Sequence, residues 1–206
     1  MLAKQSQVPR SGDLSGSRLY LVADARPLDF LRAALAGGVD IVQLRDKALD
    51  DDGLRRAAEP FRAAADEFGV PFILNDRPDL VADTGADGVH LGQEDAGERL
   101  PGKLLGRSTH APDQALAVQD ADYVSIGPVW ETPTKPGRPA AGVDYVGWAA
   151  EHVDRPWFAI GGIHAGNVHE VLSRGARRIV VVRAITEAAD PEAAARELKG
   201  ALDGVA

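Results

Sequence analysis

The sequence predicts an α/β fold of one domain, a small (β/α)8 TIM barrel. Three observations carry that prediction. From Arg18 onward, eight short apolar runs alternate strictly with eight helical stretches. Repeated strand–helix units give parallel sheets, because their crossovers are almost always right-handed. Eight such units suit a closed barrel, and 206 residues fall at the small end of its size range. The other expectation for such a pattern is an open, doubly wound sheet. Its G-x-G-x-x-G fingerprint is missing after the first strand, where Ala23-Asp24-Ala25-Arg26-Pro27 stands.

The elements follow in order. Arg18–Ala23 reads as strand one. A helix over Pro27–Ala36 starts with proline and stops at Gly37-Gly38. Asp40–Leu44 is strand two. The helix over Asp51–Phe68 has Asp50, Asp51 and Asp52 at its head, a capping and dipole pattern more than a metal site. Pro71–Leu74 is strand three, followed by a short helix over Pro78–Ala82. Asp87–Leu91 is strand four, with a brief helix near Glu94–Leu100. Lys103–Ser108 is strand five and Pro112–Gln119 its helix. Asp122–Gly127 is strand six, followed by a helix over Asp144–Glu151. Trp157–Ile160 is strand seven, closed by Gly161-Gly162, with a helix over Asn167–Arg174. Arg178–Val182 is strand eight, and an amphipathic helix over Pro191–Leu202 ends the chain. Residues 1–17 are polar and Ser/Gly-rich. They read as a flexible N-terminal extension to a barrel catalytic domain over 18–206.

Composition narrows the function classes. The chain is 45% hydrophobic, as a globular protein is, and carries a net charge of −8. That charge argues against nucleic acid or an anionic membrane as partner, but not against a small anionic substrate bound by a local basic cluster. Without cysteine there is neither a disulfide framework nor a thiolate metal site. No apolar run reaches the length of a membrane span, and the N-terminus lacks the apolar core of a signal peptide, so a cytoplasmic location is expected. The oligomeric state is left open, a homo-oligomer included.

A barrel places its active site at the C-terminal ends of its strands. Several polar residues fall there. Gln43 and Arg45 share one face of strand two, and Lys47 joins them if the extension continues. Arg offers an anion a fork and Lys a point charge; the alternative is a loop salt-bridged through Asp46. Asn75-Asp76 ends strand three, and Asp95 follows strand four. Two such carboxylates suit Mg²⁺, which takes one or two and completes its shell with water and phosphate oxygens. Asp76 as a helix cap and Asp95 as a first-turn charge are the other readings. Ser108 ends strand five as a phosphate donor or a cap. His90 and His110 read as packed or capping groups, and His152, His164 and His169 receive no role. After strand six comes a loop with Thr132, Thr134 and Lys135 between Pro133 and Pro136. Its stiffness and polar groups suit an anion, although an ordinary surface turn has the same composition. Gly162 and the Val182-Arg183 pair end strands seven and eight, where barrels often bind phosphate. Two anion sites with a metal candidate beside the first suit two phosphorylated substrates, one of them a diphosphate.

These pieces together resemble the thiamine-phosphate synthase family. They are Gln43-Leu-Arg-Asp-Lys47, Asn75-Asp76, Gly88-Val-His-Leu-Gly-Gln-Glu-Asp95, Gly106-Arg-Ser-Thr-His110, the Gly127–Gly137 loop, Ala159-Ile-Gly-Gly-Ile163 and Val181-Val-Arg-Ala-Ile185, in family order. The resemblance implies a Mg²⁺-dependent transferase that joins a hydroxymethylpyrimidine diphosphate to a thiazole phosphate, releasing pyrophosphate. It also implies that Gln43, Arg45, Lys47, Asn75, Ser108 and Lys135 contact the pyrimidine diphosphate, with Arg45, Lys47, Ser108 and Lys135 catalytic. Asp76 and Asp95 hold Mg²⁺. Thr132, Thr134, Gly162, Val182 and Arg183 receive the thiazole phosphate. Arg183 stands where the family pattern commonly has serine, and Asp46 where it often has Glu. The alternatives are a thiazole tautomerase using His110 and a non-catalytic phosphate-ligand sensor on the same fold.

Overall fold

In the computed structural model, residues 14–93, 95, 97, 99–132 and 139–205 are described. Eight parallel strands pair in sequence order and close on themselves: β1 (Leu19–Ala23), β2 (Ile41–Leu44), β3 (Phe72–Asn75), β4 (Gly88–Leu91), β5 (Leu104–Thr109), β6 (Tyr123–Ile126), β7 (Trp157–Ile160) and β8 (Ile179–Val181). Pairing of Tyr20 with Val180 seals the barrel. The (β/α)8 expectation holds.

The strands read as apolar runs because both their faces are buried. Alternate residues such as Leu21, Val42, Leu74, Val89, Val124 and Ile179 face outward into the layer beneath the helices. Tyr20, Ile41, Ile73, Leu104, Tyr123, Phe158 and Val180 face inward and fill the barrel. Leu14 belongs to this inner cluster and is only 2% exposed. The extension expected to be flexible therefore differs at its end: Leu14 anchors the chain inside the barrel before β1 begins. Residues 1–13 of that extension lie outside the described residues.

The helices are α1 (Leu28–Ala36), α2 (Asp51–Phe68), α3 (Val81–Thr84), α4 (Pro112–Ala117), α5 (Gly142–His152), α6 (Val168–Ser173), α7 (Arg183–Thr186) and α8 (Pro191–Asp203), with a 3-10 turn over Pro78–Leu80 leading into α3. Helix α2 has the predicted bounds for a local reason. The Asp50 carboxylate accepts from Gly53 N at 2.8 Å, and Gly69 leaves the helix at φ +68°. Asp51 and Asp52 pair with Arg77 and Arg55, so the acidic head is a cap and surface ion pairs, as expected. Two expectations need correction. The stretch near Glu94–Leu100 carries no helix at its described residues, and Glu94, Ala96 and Glu98 lie outside them. Helix α7 was not foreseen; it begins at Arg183, directly after the last strand. Among the described residues no helix is long and apolar enough to cross a membrane.

Candidate active site

Past the C-terminal ends of β5 to β8 lies a cavity of about 290 Å³. Ser108, Ser125, Ile160 and Val182 reach it from the strands or their continuations, His110, Thr132, Gly162 and His164 from the loops, and Arg183 from the first position of α7. Five of the predicted residues therefore meet here: Ser108, Thr132, Gly162, Val182 and Arg183. Strand parity explains the first group. Tyr123 faces inward, so Ser125 does too, and Ser125 pairs with Ser108 across the β5–β6 ladder.

The loops after β6 and β7 build the far wall by gripping each other. Val129 N donates to Ile160 O at 2.8 Å and Trp130 N to Gly161 O at 3.1 Å. This approach explains the glycines. Gly161 has φ +109°, and a Cβ there would lie 2.6 Å from Pro128 Cα. Gly162 has φ +69°, beside Trp130. Asn167 braces the same turn: its Nδ2 donates to Gly162 O at 3.0 Å and its Oδ1 accepts from His164 N at 2.8 Å. Ser125, Ile160, His164 and Asn167 were missed in the sequence. Ser125 and Ile160 were findable from period-two parity with Tyr123 and Phe158. For His164 and Asn167 the signal was only their closeness to Gly161-Gly162.

The cavity's charge comes from Arg183. Its side chain is exposed, lines the cavity, and has no acidic partner among the described residues. Most arginines of this acidic chain are paired: Arg26 with Asp24, Arg32 with Glu67, Arg77 with Asp79, Arg99 with Asp122, Arg174 with Asp144. The nearby acidic residue Glu187 meets Arg183 through the backbone, its N–H donating to Arg183 O at 3.1 Å. The leading amides of α7 have no acceptor within their helix, and a phosphate suits such amides.

The second predicted cluster sits at the ends of β2 to β4. Gln43 is buried and donates through Nε2 to the Tyr20 hydroxyl. Arg45 follows Gln43 with the same parity and, like Arg183, has no acidic partner among the described residues. Lys47 pairs not with Asp46 but with Asp76, Nζ to Oδ2 at 3.1 Å. Asp46 instead accepts from Ala25 N and Ala48 N, shaping its own loop. Asn75 stands opposite His90 in the β3–β4 ladder. Asp76 has φ +58°, a left-handed conformation that Asp tolerates better than most residues, and its N–H donates to His90 O. It caps nothing. Asp95 is not a first-turn charge either: its Oδ2 accepts from Gly92 N at 2.8 Å, which folds it back onto the end of β4. Arg107 holds the same segment through the carbonyls of Asp95 and Gly97.

The donor set fits a magnesium ion. Asp76 and Asp95 stand at the ends of two hydrogen-bonded strands, and each commits only Oδ2 to a partner among the described residues. No group of three or more metal-ligating side chains exists among the described residues, so water and substrate oxygens would complete the shell.

Buried polar groups join the two clusters. His90 meets Tyr123 through Nδ1 and Ser108 through Nε2. His110 borders the cavity, and its Nδ1 is bonded to the Gly127 carbonyl, so that nitrogen carries a proton. Thr134 and Lys135 lie outside the described residues.

The profile of the family described as "Thiamine monophosphate synthase" matches residues 19–185. A thiamine-phosphate synthase of Thermus thermophilus is 57% identical over 203 residues, covering 92% of this chain and 98% of that protein. One of Thermobifida fusca is 54% identical over 201 residues, covering 90% and 92%. The solved thiamine phosphate pyrophosphorylase from Pyrococcus furiosus superposes with a TM-score of 0.84 at 31% identity, covering 91% of this chain and 96% of that one. With its barrel, strand-end cavity and motifs in order, the chain belongs to the thiamine monophosphate synthase family, transferases of thiamine biosynthesis.

Proposed function

We propose that the chain condenses 4-amino-2-methyl-5-(diphosphooxymethyl)pyrimidine with 4-methyl-5-(2-phosphooxyethyl)thiazole, giving thiamine phosphate and pyrophosphate; with the carboxylated form of the thiazole, CO2 is released as well and a proton from water takes its place. One observation carries this reading beyond family membership. The cavity lined by Ser108, Gly162 and Arg183 is tied through His90 to the Lys47–Asp76 pair: His90 Nε2 is 3.0 Å from Ser108 Oγ, and the His90 carbonyl accepts from Asp76 N. Two basic groups of residues at one end of the barrel suit one phosphate and one diphosphate.

In this reaction the bond between the pyrimidine's exocyclic methylene carbon and the diphosphate oxygen breaks, and its electron pair leaves with the diphosphate. The electron-rich aminopyrimidine spreads the positive charge left on the methylene, which favours a dissociative path. The thiazole nitrogen then forms the new C–N bond. No protein nucleophile is required, and with the uncarboxylated thiazole no proton transfer, so catalysis is positioning and charge stabilisation. Arg45, Lys47 and Lys135 stabilise the departing diphosphate, and Ser108 donates to it. Gln43 and Asn75 orient the pyrimidine diphosphate. Thr132, Thr134, Gly162, Val182 and Arg183 hold the thiazole phosphate. Asp76 and Asp95 are the residues that would hold Mg²⁺, which when bound supplies further charge neutralisation to the leaving group.

Pyrophosphate release tests the reading. It is expected with both substrates together and absent with the thiazole phosphate alone. Isomerisation of the thiazole without pyrophosphate would favour instead a tautomerase using His110, which borders the same cavity. Binding of both ligands without turnover would favour a sensor.

A further inference from the structure

Five buried polar groups run through the barrel without interruption. Gln43 Nε2 contacts the Tyr20 hydroxyl. The Tyr20 and Tyr123 hydroxyls are 3.0 Å apart. Tyr123 Oη is 3.3 Å from His90 Nδ1, and His90 Nε2 is 3.0 Å from Ser108 Oγ. Gly106 makes room for the centre of this chain: a Cβ there would overlap both the Tyr123 ring and His90 Nδ1. The two ends are the predicted substrate contacts Gln43 and Ser108; the three middle members, Tyr20, Tyr123 and His90, have no role in the reaction as described above.

The hydrogens along this chain are not independent. An amide nitrogen has only hydrogens to give, so Tyr20 accepts from Gln43. The Tyr20 proton then has the Tyr123 oxygen as its acceptor, and the Tyr123 proton has His90 Nδ1. With Nδ1 accepting, neutral His90 carries its proton on Nε2 and gives it to Ser108 Oγ. The Ser108 proton is turned away from His90, on a side chain that lines the cavity. The opposite order requires the Gln43 amide to be flipped. It leaves His90 protonated on Nδ1 and Ser108 donating back to His90, so that Ser108 shows an incoming anion only lone pairs.

We propose that Tyr20, Tyr123 and His90 are positioning residues that couple the amide orientation of Gln43 to the hydroxyl orientation of Ser108, presetting Gln43 Oε1 as an acceptor and Ser108 as a donor. The proposal rests on the reading that Gln43 and Ser108 contact the pyrimidine diphosphate. That substrate needs this order, since its 4-amino group donates and its phosphates accept. Burial raises the pKa of both Tyr20 and Tyr123, which keeps both phenols protonated and the relay intact at neutral pH.

The tautomer of His90 reports the relay directly. Two-bond proton–nitrogen correlation spectra of the full-length protein, with His90 assigned by its disappearance in His90→Asn, should show Nε2 protonated and Nδ1 as the bare nitrogen. In Tyr123→Phe, which keeps the ring but removes the donor to Nδ1, His90 should move toward a mixture of tautomers. The KM for the pyrimidine diphosphate should rise about tenfold, the worth of one hydrogen bond to a charged group, with the thiazole-phosphate KM little changed. A wild-type His90 protonated on Nδ1 reverses the order and overturns the proposal, whether or not the variant folds. So does a Tyr123→Phe enzyme with the wild-type tautomer and wild-type KM. Ser108→Ala separates the two layers of the argument. Unchanged kinetics in that variant, beside a His90 protonated on Nε2, would remove Ser108 as a substrate contact and leave the relay standing without its catalytic purpose.

Discussion

Arg183 and the Asp76–Asp95 pair are where single side chains set the chemistry. An arginine beside a cavity, without an acidic partner among the described residues of a chain of net charge −8, is available to an anion. A charge-assisted bond to phosphate contributes roughly 1.5–3 kcal/mol, about ten- to a hundredfold in affinity. Arg183→Ser, which restores the common family residue, should raise the thiazole-phosphate KM by that factor and spare the pyrimidine-diphosphate KM. Steady-state kinetics with each substrate varied in turn checks this, and wild-type values for both would make the side chain a bystander. At the metal candidate the left-handed backbone of Asp76 dictates the choice of variant. Alanine there would add strain, whereas Asp76→Asn keeps the conformation and removes only the charge. Activity should vanish with chelator and return with Mg²⁺. In Asp76→Asn and Asp95→Asn the Mg²⁺ concentration for half-maximal rate should rise by at least the ten- to hundredfold that losing an outer-shell partner costs. Full activity in excess chelator would remove the metal from the reaction.

At the scale of elements, legibility followed the strength of the local signal. Strand β7 and helix α2 were legible to the residue, because a buried four-residue apolar run and an Asp cap with a closing glycine are self-contained signals. Helix α7 was not: four residues complete barely one turn, too few for a periodic pattern. Strand-end position located Ser108, Gly162 and Arg183, but could not say that Lys47 reaches Asp76 rather than Asp46, which depends on the packing of β2 beside β3. Nor could it find Asn167, read only as the start of a helix. That residue ties the head of α6 to the turn after β7, so its effect should appear at the cavity more than in stability. Asn167→Ala loses two hydrogen bonds of about 1 kcal/mol each at a partly exposed site. The expected result is a several-fold rise in the thiazole-phosphate KM with a smaller change in kcat. A lowered melting temperature with both KM values intact would make Asn167 a purely structural brace.

The whole barrel encloses all three tyrosines of the chain, and this ties its stability to alkaline pH. Tyr20 and Tyr123 fill the interior; Tyr145, on α5, bonds Thr109 Oγ1 and Ala111 O at 2.8 Å. Burial raises the pKa of each, that of Tyr145 to about 12 against an ordinary value of 10.0. The sign follows from proton counting. Above pH 10 the unfolded chain gives up phenolic protons that the folded chain keeps, so the unfolded state binds fewer protons and stability falls as pH rises. The contribution of neutral tyrosine is complete below pH 10. For Tyr145 it is lost between pH 10 and about 12, and for the two interior tyrosines the loss continues further. Phenolate absorbance and far-ultraviolet circular dichroism, followed together through an alkaline titration, should therefore change in one step: little phenolate while the barrel is intact, then three as it unfolds. Tyr145→Phe removes one of the three ionisations and should flatten the fall of melting temperature between pH 10 and 12. Phenolate appearing at the ordinary tyrosine pKa with the barrel's dichroism unchanged would mean that water reaches these hydroxyls, and that the interior is not the closed, hydrogen-bonded medium on which the coupling between Gln43 and Ser108 depends.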